Sequence, residues 1–439
     1  MISSNASALH EKAAERVAGF LYTGSFIELS PMSKCGVVTG YGTVDYRLVY
    51  IYSQYGAVNR RHADKIANIC ELAGNMGAPV IALLDSPGAE LSDGVELLSA
   101  YGGVCKCMTD LHGVVPKIAI VLGNAIGMAS MIPMLSDFVI MEEQSARLSL
   151  QSPATVNDPA AKSTSLEQMA SANQHARTTG IADFLAKNVS EIAAILRMLI
   201  RRLPSNNLDA APLTAQSDDI NRDCGSIDNN TPLRDIICSI ADCNDFFEVG
   251  AEYTGLITGF ADFNGSTTAL IAASGRIDPQ GAQKAARFIG FCDAFNIAIV
   301  TLSAVEGYEF SIPCHGDMMK AAANLHYTFA SASVPKVGII CGNNFGAAAT
   351  LIGSKHFGAD IVYALNNAQI ALLNPSNASK VLNITIDASP ELSEELGFID
   401  NVIEPRHTRK MIISALDMLA SKRITKTAKK HTYRTKRGI

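Results

Sequence analysis

Two kinds of short segment recur in this sequence with residue types that let a backbone do chemistry. Asp85-Ser86-Pro87-Gly88-Ala89-Glu90 and Gly123-Asn124-Ala125-Ile126-Gly127-Met128-Ala129 stand in the first half. Ala304-Val305-Glu306-Gly307-Tyr308-Glu309 and Gly342-Asn343-Asn344-Phe345-Gly346-Ala347-Ala348 stand in the second. In each half the first segment reads as a strand end bearing a glycine, the second as a glycine turn before a helix. N–H groups at a helix start lack partners and sit at the positive end of the dipole. Glycine lets a ligand approach such a backbone closely. Two N–H groups converging on one oxygen form an oxyanion hole, which could stabilise a thioester enolate without any catalytic side chain. Small residues in such turns also serve helix–strand packing. The chemical reading gains because the same turn appears at the same place twice.

Other chemistries find little support. The sequence has no Gly-x-x-x-x-Gly-Lys-Ser/Thr phosphate loop, no Gly-x-Gly-x-x-Gly after a strand and no Gly-x-Ser-x-Gly elbow. Its nine histidines form no His-x-x-x-His pair, and His62, His315 and His356 read as surface or core residues. Cys105-Lys106-Cys107 is too close for a zinc knuckle, and Cys238 and Cys243 have no second pair at ligand spacing, so no metal site is expected. Glu90, Asp93 and Glu309 are the carboxylates open to a side-chain acid–base role; as loop or helix-start charges they also read as solvated.

The elements that must position these turns come in two copies. Val115-Pro116-Lys117 recurs as Val334-Pro335-Lys336, an offset of 219. The same offset pairs Gly36, Gly40, Lys65, Gly88, Glu90, Gly123 and Gly127 with Gly255, Gly259, Lys284, Gly307, Glu309, Gly342 and Gly346. Each half reads as a β-rich opening (36–54 and 255–274), a helix (63–73 and 282–291) and a short apolar strand (79–84 and 297–302). A second helix, the Val-Pro-Lys strand and an Ala/Met-rich helix after the glycine turn follow. Strands alternating with helices imply a mainly parallel, helix-covered sheet or superhelix. The expected domains are 1–205 and 245–439, joined across 206–244, which is dense in Asn, Asp, Ser and Pro.

Composition narrows the class. The chain has 439 residues, 48% hydrophobic and 18% charged, which excludes a disordered protein. The segment 421–439 holds eight Lys/Arg and no acid, so the rest carries −14 against a formal net charge of −6. An acidic body argues against nucleic-acid binding; the basic tail reads as a solvated terminus or a contact for an anionic partner. Ten cysteines in a chain this long, with no basic-then-apolar leader, imply a reducing, cytoplasmic setting. The apolar run 118–135 contains Gly123, Asn124, Gly127, Ser130 and Pro133, and reads as strand–turn–helix rather than a membrane span.

These motifs resemble the carboxyltransferase family of biotin-dependent enzymes, which includes acyl-CoA carboxylase β subunits and sodium-pumping acyl-CoA decarboxylase α subunits. Glu15-Arg16 with 24–29, His62-Ala63-Asp64-Lys65-Ile66, 85–94 and 123–141 carry the likeness in the first half. Asp245-Phe246-Phe247-Glu248, 258–260, 284–289, 292–297, 334–336 and 354–360 carry it in the second. The resemblance implies two tandem crotonase-like (ββα superhelix) domains related by internal duplication. It also implies a homo-oligomer, a dimer at least or a hexamer, with the site at a subunit interface. The activity implied is transfer of a carboxyl group between carboxybiotin on a separate carrier protein and a short acyl-CoA of methylmalonyl/propionyl, malonyl/acetyl or glutaconyl type. The partners implied are a biotin carrier protein with either a biotin carboxylase subunit or a membrane decarboxylase subunit. Carried over by position, Gly127 and Met128 would donate N–H groups to the thioester oxygen, with Gly88, Ala89 and Gly123 lining the acyl-CoA side. Gly346 and Ala347 would donate to the biotin ureido oxygen, with Gly307, Tyr308 and Phe345 lining the biotin side. Lys320, in an Ala-rich helical pattern, does not resemble a carrier's biotin lysine. The chain departs from the family pattern at Pro87, Glu90, Met128 and Ala304, and its middle is shortened near 151–164. Those departures leave open a catalytically degenerate scaffold, or a biotin-independent CoA-thioester enzyme of the same fold.

Overall fold

The computed structural model of the protein describes residues 2–151, 165–214, 218–229 and 231–424, with side chains from Ala6 onward. The basic tail beyond 424 and the shortened stretch 152–164 lie outside the described residues. The chain divides into two units, Met1–Asp209 and Ala210–Ile439.

In the first unit the strands are β1 (Ile27–Leu29), β2 (Val37–Val44), β3 (Arg47–Tyr55), β4 (Val80–Ser86), β5 (Lys117–Ile126), β6 (Phe138–Glu142), β7 (Arg147–Ser149) and β8 (Phe184–Ala186). They form one sheet in the order β1-β2-β3-β4-β5-β6-β8, with β7 paired to β5 beyond the turn of the strand. β1, β2 and β3 are antiparallel, and every later pairing is parallel. Helices Arg60–Met76 and Gly94–Asp110 make the crossovers. Asn59 starts the first by accepting the His62 N–H at 3.1 Å, and Gly77, at φ 64°, ends it. The apolar positions of both helices, among them Ile66, Ile69, Leu97, Tyr101 and Val104, are buried against the sheet.

The second unit repeats this plan. Its strands are β9 (Phe246–Val249), β10 (Ile257–Phe263), β11 (Ser266–Ile277), β12 (Ile299–Tyr308), β13 (Lys336–Ile340), β14 (Asn343–Phe345), β15 (Ile361–Leu365), β16 (Gln369–Ala371) and β17 (Asn401–Ile403). The main sheet runs β17-β15-β13-β12-β11-β10-β9, and β14 pairs with β16 alone. The hairpins match: Asp45-Tyr46 and Asn264-Gly265 both take positive φ at two-residue turns. Lys65 donates to the Val37 carbonyl at 2.9 Å, and Lys284 to the Leu256 carbonyl at 2.9 Å. Lys117 donates to the Met108 carbonyl, and Lys336 to those of Phe329 and Ala332. Each of these last two lysines thus satisfies orphan carbonyls at the end of the helix before its strand. A Cβ at Gly40 would lie 2.3 Å from the Ile27 carbonyl, and one at Gly259 2.4 Å from that of Phe247. Buried cations and close-approach glycines that fall on the same offset are the duplication expressed in packing.

Two stretches differ from expectation. The join at 206–244 is structured on both sides of its residues 215–217 and 230, which lie outside the described ones. Asn206 donates to the Gly77 carbonyl at 3.0 Å in the first unit. Helix Leu233–Ile240 buries Leu233, Ile236, Ile237 and Ile240 in the second core, because those positions share one helical face. The Ala/Met-rich helix expected after each glycine turn is a short 3-10 turn, Gly127–Ser130 or Ala347–Thr350. In the first unit four α-helical residues, Met131–Met134, follow. In the second, Gly353 at φ 74° breaks the run, where a Cβ would lie 2.1 Å from Thr301 Oγ1.

Candidate active site

Adjacent parallel strands bring the two segments of each half together. In the first unit Ser86 of β4 lies opposite Ala125 of β5, so the turns at Gly88 and Gly127 leave the sheet side by side. A Cβ at Gly88 would lie 3.9 Å from the Ile126 carbonyl. Gly88 at φ 128° and Gly127 at φ 68° hold backbone conformations that favour glycine. Nothing lies within 4 Å of a Cβ at Gly127, so the space before it is open.

The hydrogen bonds orient the N–H groups. Val58 N–H donates to the Gly88 carbonyl at 2.8 Å, and Glu90 N–H to the Val58 carbonyl at 2.7 Å. Val58 therefore pairs with both neighbours of Ala89, and the Ala89 N–H points away from Val58, as alternate residues of a parallel pair must. The second unit repeats this: Glu309 N–H donates to the Ile277 carbonyl at 2.8 Å, and Tyr308 lies opposite Ile277. The Tyr308 N–H likewise points away from β11. Ala89 and Tyr308, read from sequence only as lining residues, thus present backbone donors. The signal that could have found them is their place one residue beyond a recurring glycine. Met128 and Ala347 sit in the first turns of their 3-10 segments, where an N–H has no partner within the turn.

Three expected site residues have other roles. Gly346 N–H donates to the Ala371 carbonyl at 3.0 Å, because β14 and β16 pair in parallel just before it; Ala347 is left as the outward donor of that turn. The Phe345 side chain is 2% exposed and packs inward, so it lines no open face. Gly123 is buried, and a Cβ there would lie 2.2 Å from Asp85 Oδ1. It is a glycine because the Asp85 carboxylate fills its side-chain space. That carboxylate accepts from Arg16 Nη2 at 2.7 Å and from the Asn124 N–H at 3.0 Å. Glu90 and Glu309 are exposed on their loops, and Asp93 accepts the Arg60 N–H at 2.8 Å.

Beside the Arg16–Asp85 pair the first unit has a cavity of about 510 Å³, between Arg16, Phe20, Leu122, Ser145 and Val189, within the size range of small-ligand sites. Among the described residues no group of three or more His, Cys, Asp and Glu could hold a metal ion, and no helix is long and apolar enough to cross a membrane. All ten cysteines are free thiols.

The helix that starts beside the Gly88 turn carries His62, 1% exposed, whose Nε2 accepts the Gly36 N–H at 3.0 Å. Burial, then the nearby Lys65 charge, hold its pKa down, from 6.5 to about 4. The unfolded chain therefore binds a proton that the folded chain refuses, and stability falls as pH drops from about 6.5 to about 4. Thermal midpoints measured across that range should fall less steeply for His62→Gln than for the unsubstituted protein.

Residues 15–394 match the family model described as the carboxyl transferase domain. The chain belongs to the carboxyl transferase family. Methylmalonyl-CoA decarboxylase subunit alpha of Veillonella parvula is 34% identical, over 95% of this chain and 92% of that one. Propionyl-CoA carboxylase beta chain of Roseobacter denitrificans is 34% identical, over 90% of this chain and 85% of that one. Among solved structures, transcarboxylase 12S, a hexamer assembly with hydrolysed methylmalonyl-coenzyme A bound, matches with a TM-score of 0.90 at 30% identity, over 95% of this chain and 91% of that one. Both units of this carboxyl transferase family member have the crotonase-like fold, and the paired glycine turns lie within the family match.

Proposed function

We propose that this chain is the carboxyltransferase subunit of a biotin-dependent acyl-CoA carboxylase or decarboxylase. The observation that carries the proposal is the pair of equivalent glycine turns, one per unit, each presenting N–H donors from two neighbouring strand ends. A reaction joining two substrates that both develop negative oxygen needs two such sites, and an internal duplication supplies them.

On the first unit the Ala89 and Met128 N–H groups, reached across Gly88 and Gly127, hold the thioester oxygen of a short acyl-CoA. As the bond between Cα and the carboxyl carbon breaks, its electron pair moves toward that oxygen. The two N–H groups stabilise the resulting enolate, as preorganised donors do in oxyanion holes. On the second unit the Tyr308 and Ala347 N–H groups, reached across Gly307, hold the ureido oxygen of biotin. Nothing lies within 4 Å of a Cβ at Gly307, which fits a group that must approach the backbone. Biotin, borne on a separate carrier protein, would supply the nitrogen that takes the carboxyl group, and the proton that this nitrogen loses would pass to Cα of the enolate; carboxylation is the reverse. The working unit is a homo-oligomer, a dimer at least, together with a biotin carboxylase subunit or a membrane decarboxylase subunit.

The test is to incubate the purified protein with malonyl-, methylmalonyl- and glutaconyl-CoA, with and without biotinylated carrier protein, and follow the acyl-CoA by mass spectrometry. Loss of the carboxyl group only with carrier is the expected result, and it names the substrate. Turnover that ignores the carrier would make this a biotin-independent thioester enzyme. No turnover and no CoA binding in the folded protein would make it a scaffold.

A further inference from the structure

The two units brace their first turn by different means. In the first, the Ser86 hydroxyl does it from within the turn: Oγ accepts the Gly88 N–H and donates to the Gly88 carbonyl, each at 3.3 Å. The residue across the sheet is Ala125, which has no polar side chain. In the second unit the polar group has changed strands. The position of Ser86 is Val305 and that of Ala125 is Asn344. The β12–β13 pairing ends at Ser303 and Ile340, two residues short of Val305. There the Asn344 side chain replaces the ladder, its Oδ1 accepting the Val305 N–H at 3.3 Å. Next to it, Asn343 Nδ2 donates to the Glu306 carboxylate at 3.2 Å.

Asn344 is otherwise an unfavourable choice. It is 0% exposed, and among the described residues its Nδ2 has no hydrogen-bond partner. A buried amide with unpaired N–H groups destabilises the fold relative to a small apolar residue such as the alanine in the first unit. Among the described residues the one hydrogen bond of its carboxamide is with the strand end that leads into Gly307 and Tyr308.

We propose that Asn344 is a positioning residue for the second unit's turn. Its carboxamide fixes the backbone of 305–308, so that the Tyr308 N–H stands where an acceptor reaches it. The fixing itself is a property of the fold; its effect on biotin rests on the function proposed above.

The experiment compares Asn344→Ala with the double variant Val305→Ser/Asn344→Ala, which recreates the first unit's arrangement. Amide hydrogen exchange, read by mass on the peptide covering 303–309 of the full chain, should speed up about tenfold in Asn344→Ala. It should slow again in the double variant. The thermal midpoint should change little, since the unpaired Asn344 Nδ2 goes while the buried Val305 N–H loses its acceptor. In decarboxylation driven by free biotin, Asn344→Ala should raise the KM for biotin about tenfold, the scale on which small misplacements act. The KM for acyl-CoA should not change. Unchanged exchange at 303–309 in Asn344→Ala would overturn the proposal, and so would a KM rise that the double variant leaves in place. If the unsubstituted protein shows no biotin-dependent turnover, that failure falls on the proposed function. The exchange measurement still decides the role of Asn344.

Discussion

Replacing Gly127 by leucine should abolish carboxyl transfer, by at least about 100-fold, the scale set by loss of an oxyanion-hole donor, while the protein stays folded. Gly127 holds φ at 68°, which a residue with a Cβ adopts at a cost of about 1–2 kcal/mol. No atom lies within 4 Å of the new Cβ, so there is no core clash to add. The side chain instead projects into the space in front of the Met128 and Ala89 N–H groups. Gly346→Leu is the matching change in the second unit: φ is again 68°, with ψ at −166°, a region essentially reserved for glycine that adds a cost of about 1–3 kcal/mol, and the nearest atom to a Cβ is the Leu372 carbonyl at 3.6 Å, an ordinary contact. Overall transfer should fall as far in this variant. The two should separate in binding. Calorimetry with a nonreactive acyl-CoA should show loss of binding in Gly127→Leu and retention in Gly346→Leu. If Gly127→Leu kept transfer within about threefold, or if acyl-CoA binding survived in Gly127→Leu and was lost in Gly346→Leu, the assignment of the two units would be wrong.

The sequence made the duplication legible because its strongest marks are packing necessities. Lys65 and Lys284 must reach equivalent carbonyls, and Gly40 and Gly259 must admit a backbone oxygen, so neither pair tolerates drift. The strands around each turn were legible for the same reason: apolar runs ended by glycine. The direction of individual N–H groups was not. Ala89 and Tyr308 are ordinary side chains whose value lies in which neighbour pairs with Val58 or Ile277, and register is a property of the folded sheet. Gly346 misled because a positive φ marks the turn but does not say whether its N–H is already used; Ala371, 25 residues on, settles that. Phe345 misled because it adjoins the glycine, yet its ring is buried like the Asn344 side chain before it. The structured join was missed because its Asn, Asp and Pro residues masked the helical spacing of Leu233, Ile236, Ile237 and Ile240.

Gly123→Ala should be among the most destabilising single-methyl additions in the first unit, at about 3–5 kcal/mol when overpacking and a lost charged hydrogen bond combine. The added Cβ would lie 2.2 Å from Asp85 Oδ1 and 2.3 Å from its Cγ. The carboxylate is not free to swing aside. It accepts from Arg16 and from the Asn124 N–H, and the Arg16 guanidinium lies over the Tyr55 ring at 4.6 Å. Moving it breaks the contacts that tie the end of β4 to the bend of β5 before Gly127, so activity should fall with stability. Asp85→Ala alone should cost less, about 1–3 kcal/mol, the penalty for leaving its partly buried donors unpaired. Combined, the two changes should be less harmful than their sum, with a coupling of at least about 1 kcal/mol, because each removes the conflict the other creates. The second unit already runs this experiment in part: Ala304 replaces the aspartate while Gly342 remains a glycine, and a Cβ there would lie 3.1 Å from that of Ala304. That spacing is tight without being prohibitive, so relief in the double variant should be large and incomplete. Urea unfolding of the four proteins measures the cycle. Strict additivity would mean that Gly123 is small for the sake of a ligand rather than for the carboxylate behind it.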